Sequence, residues 1–430
     1  MTKFCSALLI SLILSCGAKA QTWSDKATIP WLMSRISVLA DTGMHGRGYV
    51  KGGREKAAAY IQKQFKAYHL KPVGAGKSYL QHYYFPVNTF PGKMELTFNH
   101  NKLQAGKDFI IDAKSAAFSA TNMKVEKTDL STINSSAQWK KMRLTLSNPT
   151  KLHYLDNIDS LCKVLGVRRS TIVSELPKGC FLIPQKDKFI WTVARTAMKA
   201  TVFYIDTATA AINISTADVQ VQAKLLPKAK SDNIIGIVPG EVKDSFIFVT
   251  AHYDHLGMMG NKAIFTGASD NASGTAMLLY LANYFHARPQ HYSMVFISFS
   301  GEEAGLMGSK YFTKHPLLPL KNIKFLTNID IMGDATDGIT VVNATEYPAQ
   351  FNMLQNINAK YDYLPQVRSR GKAANSDHYH FTEAGVPSFF IYTNGGKGYY
   401  HDIYDSAESL SMTGIDKIAR LLIDFIGEIK

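Results

Sequence analysis

The sequence predicts an α/β protein: a mostly parallel sheet sandwiched by helices, with a smaller α+β or β domain inserted into it. Three observations predict this. After Asn233, short β-branched and aromatic runs alternate with helix-length apolar stripes, the rhythm of strands joined by crossover helices. Between about Ile111 and Pro227 the texture differs: short strand-like runs are separated by Ser, Thr, Asn and Lys, and no grouping of acids with histidines occurs. Finally, polar metal-binding side chains recur where predicted strands end, which is where the loops of an open α/β sheet converge on a ligand.

Taken in order, residues 1–20 read as a secretory signal: Lys3 gives a positive start, Ala7 to Leu14 an apolar stretch too short to span a bilayer, and Ala18-Lys19-Ala20 a cleavage site before Gln21. The expected location is therefore the periplasm or the medium. A competing reading takes Ile13-Leu14-Ser15-Cys16 as a loose lipobox, with Cys16 lipidated and the protein anchored to a membrane. Leu14 is bulky for that role, and Ala20 offers a clean cut.

Residues 21–110 form the first part of the main domain. Leu32, Ile36 and Leu39 share one helical face, and Ala58, Ile61, Phe65 and Tyr68 share another in a helix opening near Arg54. Gly76-Lys77-Ser78 lacks the earlier glycine and the feeding strand of a phosphate loop. Tyr79 to Val87 and Met94 to Phe98 read as β. The inserted segment, residues 111–227, has strand-like runs at Cys180 to Ile183 and Ala200 to Ile205. Residues 228–430 then carry strands at Phe246 to Ala251, Met294 to Phe299, Ile323 to Ile329 and Pro387 to Tyr392. Helices are expected over Ala272 to Phe285, Leu306 to Thr313 and Phe351 to Ile357, and along the stripe Ile415, Ile418, Leu422 and Phe425.

Composition narrows the function. An apolar fraction of 46% is that of an ordinary globular protein, and no stretch is apolar enough for a transmembrane helix. The formal charge of +14 loses two with Lys3 and Lys19, and it is spread without any block of five like charges. A nucleic-acid partner would want a clustered basic face with stacking aromatics, so none is expected. Outside the signal only Cys162 and Cys180 remain, and in an oxidising compartment they are expected to pair as a disulfide.

Five groups recur at strand ends or the turn just after: His252 in AHYDHLG, Asp270 in GASDNASG, Glu303 beside Glu302 in SGEEAG, Asp330 in NIDIMGD and His401 in YYHD. Each alone has an ordinary explanation, such as a helix N-cap for Asp270 or a solvated helix start for the glutamate pair. Asp330 resists one, because an aspartate inside an apolar run costs a few kcal/mol to bury without a cation. Imidazoles and carboxylates together suit zinc. Two zinc ions per chain carry four positive charges, and Asp270, Glu303 and Asp330 return three. Glu302 is then left as a base, which metal-assisted hydrolysis needs.

The segments AHYDHLG, GASDNASG, FSGEEAGLMGSKYF, NIDIMG, SDHYHF followed by GVP, and YHDIYDSAESL resemble, in order and spacing, the motifs of the co-catalytic zinc aminopeptidases, metallopeptidase family 28. The resemblance covers about Asn233 to the C-terminus, and GREKAAAYI is similar to the family's opening. Residues around GCFLIPQKDKFIWTVARTAMKATVFYIDT resemble a degenerate protease-associated domain. The resemblance implies that Asp270 bridges two zinc ions, with His252 and Asp330 on one and Glu303 and His401 on the other. It further implies Glu302 as general base, Asp254 as the carboxylate fixing the His252 tautomer, Tyr400 as a donor to the oxyanion, and Asp377 and His378 as lining residues. Asp402 departs from the family, which often has a neutral or basic residue there. The implied activity is removal of N-terminal residues from peptides. Three rivals stay open: a one-zinc glutaminyl cyclase-like transferase, a carboxypeptidase of the same superfamily, and a non-enzymatic binding protein on this fold.

Overall fold

The computed structural model describes residues 25–73, 78–148, 150–210, 213–288 and 290–430. The expected signal, its cleavage site, Cys16, and Gly76 with Lys77 lie outside them. Among the described residues a nine-stranded sheet is built around four adjacent parallel strands, in the order Tyr292–Phe299, Val242–His252, Ile323–Asp330 and Ser388–Thr393. Antiparallel strands close both flanks: Lys224–Val238 beside Tyr292–Phe299, and Ile339–Val342 beside Ser388–Thr393.

Alternation along the strands sends side chains to two faces. Ile247, Val249 and Ala251 enter a core shared with the helices Asp25–Leu39, Gly53–Ala67, Gly274–Phe285 and Ile415–Glu428. Phe246 and Phe248 enter the opposite core, against Phe312 of Met307–Lys314 and Phe381 of His378–Glu383. The predicted stripe Ile415, Ile418, Leu422 and Phe425 is wholly buried, and Pro348–Tyr361 extends the predicted helix at Phe351 in both directions. No described helix is long and apolar enough to cross a membrane.

A second sheet of eight strands stands beside the first. Its centre is also parallel, in the order Phe118–Asp129, Lys151–Asp156, Gly179–Gln185 and Ala200–Asp206. The chain leaves the main sheet along Leu80–Thr89 and returns along Lys224–Val238, and these two strands pair antiparallel from Lys224↔Thr89 to Ile234↔Leu80. Exit and return thus share one ribbon. The second sheet also takes Met94–Phe98, Asn101–Lys102 and Phe109–Ile111, so the boundary expected at residue 111 falls inside it. A period-2 pattern marks a strand without saying which sheet it joins.

The expected disulfide is absent: Cys162 and Cys180 are both free. Cys180 belongs to the core on one face of the second sheet, with Leu152 and Leu182. Cys162 packs into the core of the other face, with Phe181 and Ile183. A strand's alternate side chains point apart, and the sheet itself separates the two thiols.

Candidate active site

Because the four parallel strands are neighbours, their carboxyl ends bring the predicted groups to one place. His252 ends Val242–His252, Asp330 ends Ile323–Asp330, and Glu302 and Glu303 follow Tyr292–Phe299. Asp270 sits in the irregular turn Ala268–Ser273 that opens the helix Gly274–Phe285, and His401 in the loop beyond Ser388–Thr393. His252 Nε2 lies 3.3 Å from both Asp270 Oδ1 and Asp330 Oδ1. His401 Nε2 lies 3.3 Å from the other Asp270 oxygen, Oδ2, and 3.1 Å from Glu303 Oε2. Asp270 therefore stands between two nests of ligand atoms.

The electrostatics call for positive charge here. Burial alone would lower the pKa of His252, yet Asp330 and Glu302 hold it well above the ordinary value. His401, likewise opposed by burial, is raised to about 11 by Glu303 and Asp270. Against burial, contacts with His252 and His401 hold Asp270 well below the carboxylate range, and His401 helps bring Glu303 to about 2. Burial pushes Glu302 well above it, with the charges of Glu303, Asp377 and Asp330 adding to the rise. So many buried carboxylates in contact are stable only with cations among them. His401 Nε2 makes no hydrogen bond despite facing two carboxylates, the arrangement of a nitrogen awaiting a metal. The residues fit a metal centre: His252, Asp270 and Asp330 form one group able to hold an ion.

Some predicted residues take other positions than expected. His252 Nδ1 is 3.1 Å from the backbone carbonyl of Asp254 but 3.8 Å from its carboxylate, so the main chain orients the ring. The Asp254 carboxylate instead accepts from Glu302 N at 3.3 Å and Tyr49 Oη at 3.4 Å, holding the Glu302 turn. Tyr400, half-exposed, stacks on His401 with centroids 3.9 Å apart. Desolvation and then the charges of Asp270 and Glu303 raise its hydroxyl pKa. Asp377 is buried beside the cluster and raised to about 7 by that burial, with Asp254 and Asp330 contributing. His378 packs on Phe390 instead.

The supporting residues went unread in the sequence. His255 Nδ1 donates to Glu303 Oε1 at 2.7 Å, and with Asp270 and Glu303 it forms a second group able to hold an ion. The Asp405 carboxylate accepts from Ser269 N at 2.8 Å and Asp270 N at 3.1 Å. Ser376 Oγ donates to Asp330 Oδ2 at 3.1 Å and accepts from Asn328 Nδ2 at 2.8 Å. Asn271 Oδ1 accepts from Gly274 N and Ile331 N, stitching the Asp270 turn to the strand end beyond Asp330. Beneath them lies Arg47, fully buried, whose guanidinium donates only to backbone carbonyls: Tyr253 at 2.7 Å, Leu39 at 2.9 Å, Thr266 at 2.6 Å, Gly267 at 2.7 Å and Asp270 at 3.3 Å. Burial lowers its pKa to about 10 while Asp270 and Asp405 oppose the fall, so it stays charged under the cluster. Of these, Asp405, Ser376, Asn271 and His255 lay inside the quoted runs without a role assigned to them, and Arg47 lay outside every run.

A cleft of about 140 Å³ opens beside Asp270, lined by Ile331, Gly395, Gly396, Lys397, Tyr400 and Leu410 among others. A larger groove of about 750 Å³ lies at the other end of the helix Gly274–Phe285 and contains none of these residues.

Residues 233–426 match the model of Peptidase family M28. This half of the chain belongs to that family. Aminopeptidase YwaD of Bacillus subtilis is 29% identical to it over 216 residues, covering 47% of this chain and 45% of that protein. A probable leucine aminopeptidase of Trichophyton verrucosum is 28% identical over 228 residues, 48% of this chain and 58% of that one. The chain spans about half the length of these curated relatives. Among solved structures, BSAP, a zinc aminopeptidase from Bacillus subtilis, superposes with a TM-score of 0.66 at 19% identity over 92% of this chain and 93% of that one. A Peptidase M28 precursor from Shewanella amazonensis SB2B gives 0.64 at 15% identity, over 94% and 97%. Such coverage extends the likeness of fold beyond the M28 half to the inserted module.

Proposed function

We propose that this protein is an exported zinc aminopeptidase that removes N-terminal residues from peptides. The observation that carries the reading is Asp270, whose two carboxylate oxygens each face a different histidine Nε2 at 3.3 Å. His252, Asp330 and one Asp270 oxygen would hold the first zinc, and His401, Glu303 and the other oxygen the second. Bound there, zinc supplies Lewis acidity toward the scissile carbonyl and makes a water acidic enough to react near neutral pH.

The chain's own residues do the rest. Glu302, with no ligand role and a pKa raised by burial, takes a proton from the attacking water and passes it to the leaving amine. Asp254, bonded to the Glu302 amide, keeps that carboxylate aimed at the cluster. Tyr400 retains its proton and donates to the developing oxyanion. His255 fixes the Glu303 carboxylate. The small cleft beside Asp270 takes the substrate's first side chain, with Ile331 and Leu410 favouring a modest apolar one. The insert expected over residues 111–227 is read as a protease-associated-like module, with export resting on the leading twenty residues.

A carboxypeptidase has one observation in its favour: Lys397 on the rim of that cleft could pair with a substrate carboxylate. Aminoacyl anilides and their N-acetylated counterparts separate the two, assayed with chelator-stripped and zinc-restored protein. The expected result is zinc-dependent cleavage of free-amine substrates only. Cleavage of N-blocked peptides from the carboxyl end would replace this reading with the carboxypeptidase.

A further inference from the structure

A metal-binding imidazole presents one nitrogen to the ion and needs an acceptor for the N–H on the other. The two candidate histidines find that acceptor differently. His252 uses the carbonyl of Asp254, two residues away on the same loop. His401 uses the second module: its Nδ1 donates to the carbonyl of Trp191 at 2.8 Å, and Trp191 N donates back to the His401 carbonyl at 3.2 Å.

Trp191 lies in the irregular stretch between the strands Gly179–Gln185 and Ala200–Asp206. It is itself held firmly. Its Nε1 donates to Ile111 O at 2.9 Å, inside the second module, and its ring stacks on Phe265 of the M28 half with centroids 4.8 Å apart. Three residues earlier, Lys188 Nζ donates to the carbonyls of Gly398 and Tyr400 and lies 3.4 Å from Asp402 Oδ2. Lys188 is thus the partner of Asp402, the residue that departs from the family pattern. The loop so gripped needs gripping, because His401 has φ +56°, a left-handed conformation that a side chain bearing a Cβ adopts at a cost.

We propose that Lys188 and Trp191 are positioning residues through which the inserted module sets the His401 loop, so that the zinc ion on His401 depends on docking of this module and the ion on His252 does not. This rests on the two-zinc reading above. The two ions are then unequal by construction, and the insert is a structural part of the metal centre.

Zinc titration of the chelator-stripped full chain tests this, by calorimetry and competition with a chromophoric chelator, for the wild type and for Lys188→Met, Lys188→Arg and Trp191→Phe. Lys188 is exposed, and phenylalanine keeps the ring stack at 191 while losing the bond to Ile111. Neither change should unfold the module, which the melting temperature of the metal-free protein checks. The expected result is that one zinc affinity falls about ten- to a hundredfold in Lys188→Met and less in Trp191→Phe, the usual reach of groups that orient a ligand. The other affinity should stay put, and Lys188→Arg should recover most of the loss. Two unchanged affinities in both variants would overturn the proposal, as would equal weakening of both ions. A wild type that binds fewer than two zinc ions would instead remove the two-zinc reading, and this proposal with it.

Discussion

Both sheets of this protein have four parallel strands in succession, yet their carboxyl ends are put to different uses. In the M28 half, His252, Asp270 and Asp330 are buried there in mutual contact. In the second sheet, Asp156 and Asp206 end the corresponding strands but stay in reach of water, Asp156 exposed and Asp206 partly so, and both accept from nearby backbone amides: Asp156 from Asn157 N, and Asp206 from Ala208 N and Thr209 N. A solvated carboxylate satisfied by backbone amides needs no cation, whereas a buried cluster of carboxylates does. Acidic residues at strand ends therefore do not make a site by themselves. Burial against one another does, and that requires loops from four adjacent strands and a supporting layer beneath.

Substitutions at the glutamate pair are expected to have the largest effect. Glu302→Gln is expected to keep both zinc ions and the fold while kcat falls by roughly two to four orders of magnitude, the usual worth of general acid-base catalysis. Glu303→Gln should lose metal as well as rate. Zinc content measured beside kcat decides the matter, and a Glu302→Gln protein that sheds zinc while Glu303→Gln retains it would reverse the two roles.

Arg47 tests the supporting layer. Arg47→Met removes a buried charge and leaves five carbonyls unserved, so denaturant unfolding should show a loss of about 3 to 5 kcal/mol, with the Asp270 turn as the first region to gain amide exchange. A loss under about 1 kcal/mol would show that the carbonyls find other donors.

A buried histidine sharpens the contrast through pH. Burial lowers the pKa of His378 to about 3. The unfolded chain therefore takes up this proton near pH 6.5 while the folded chain does not, and stability present above pH 6.5 is lost as pH falls toward 3. His378→Leu should reduce the stability lost between pH 7 and pH 4 by up to about 3 kcal/mol. An acid limb parallel to that of the wild type would mean His378 contributes nothing to it.

The smallest effect belongs to the second sheet. Asp206→Ala removes a turn cap and should cost about 1 kcal/mol in thermal unfolding, with no change in zinc content. Lost zinc in this variant would make the second sheet's strand ends part of the metal site and erase the contrast.

Legible in the residues alone were the alternation of strands and helices after Asn233, the apolar stripes that enter the core on one face of the main sheet, and the short list of groups with metal-binding chemistry. Those signals are local: a period of two or 3.6 residues, or a polar residue breaking an apolar run, is written in neighbouring positions. Packing across the chain settles which strands belong to which sheet, that Cys162 and Cys180 lie on opposite faces, and that the Asp254 carbonyl lies nearer His252 Nδ1 than the Asp254 carboxylate does. It also decided what holds the ligands in place. Arg47 meets Asp270 across 223 residues and Trp191 meets His401 across 210, through main-chain carbonyls. A carbonyl is common to every residue, so a contact made through one leaves no mark on residue type, and packing alone brings the partners together.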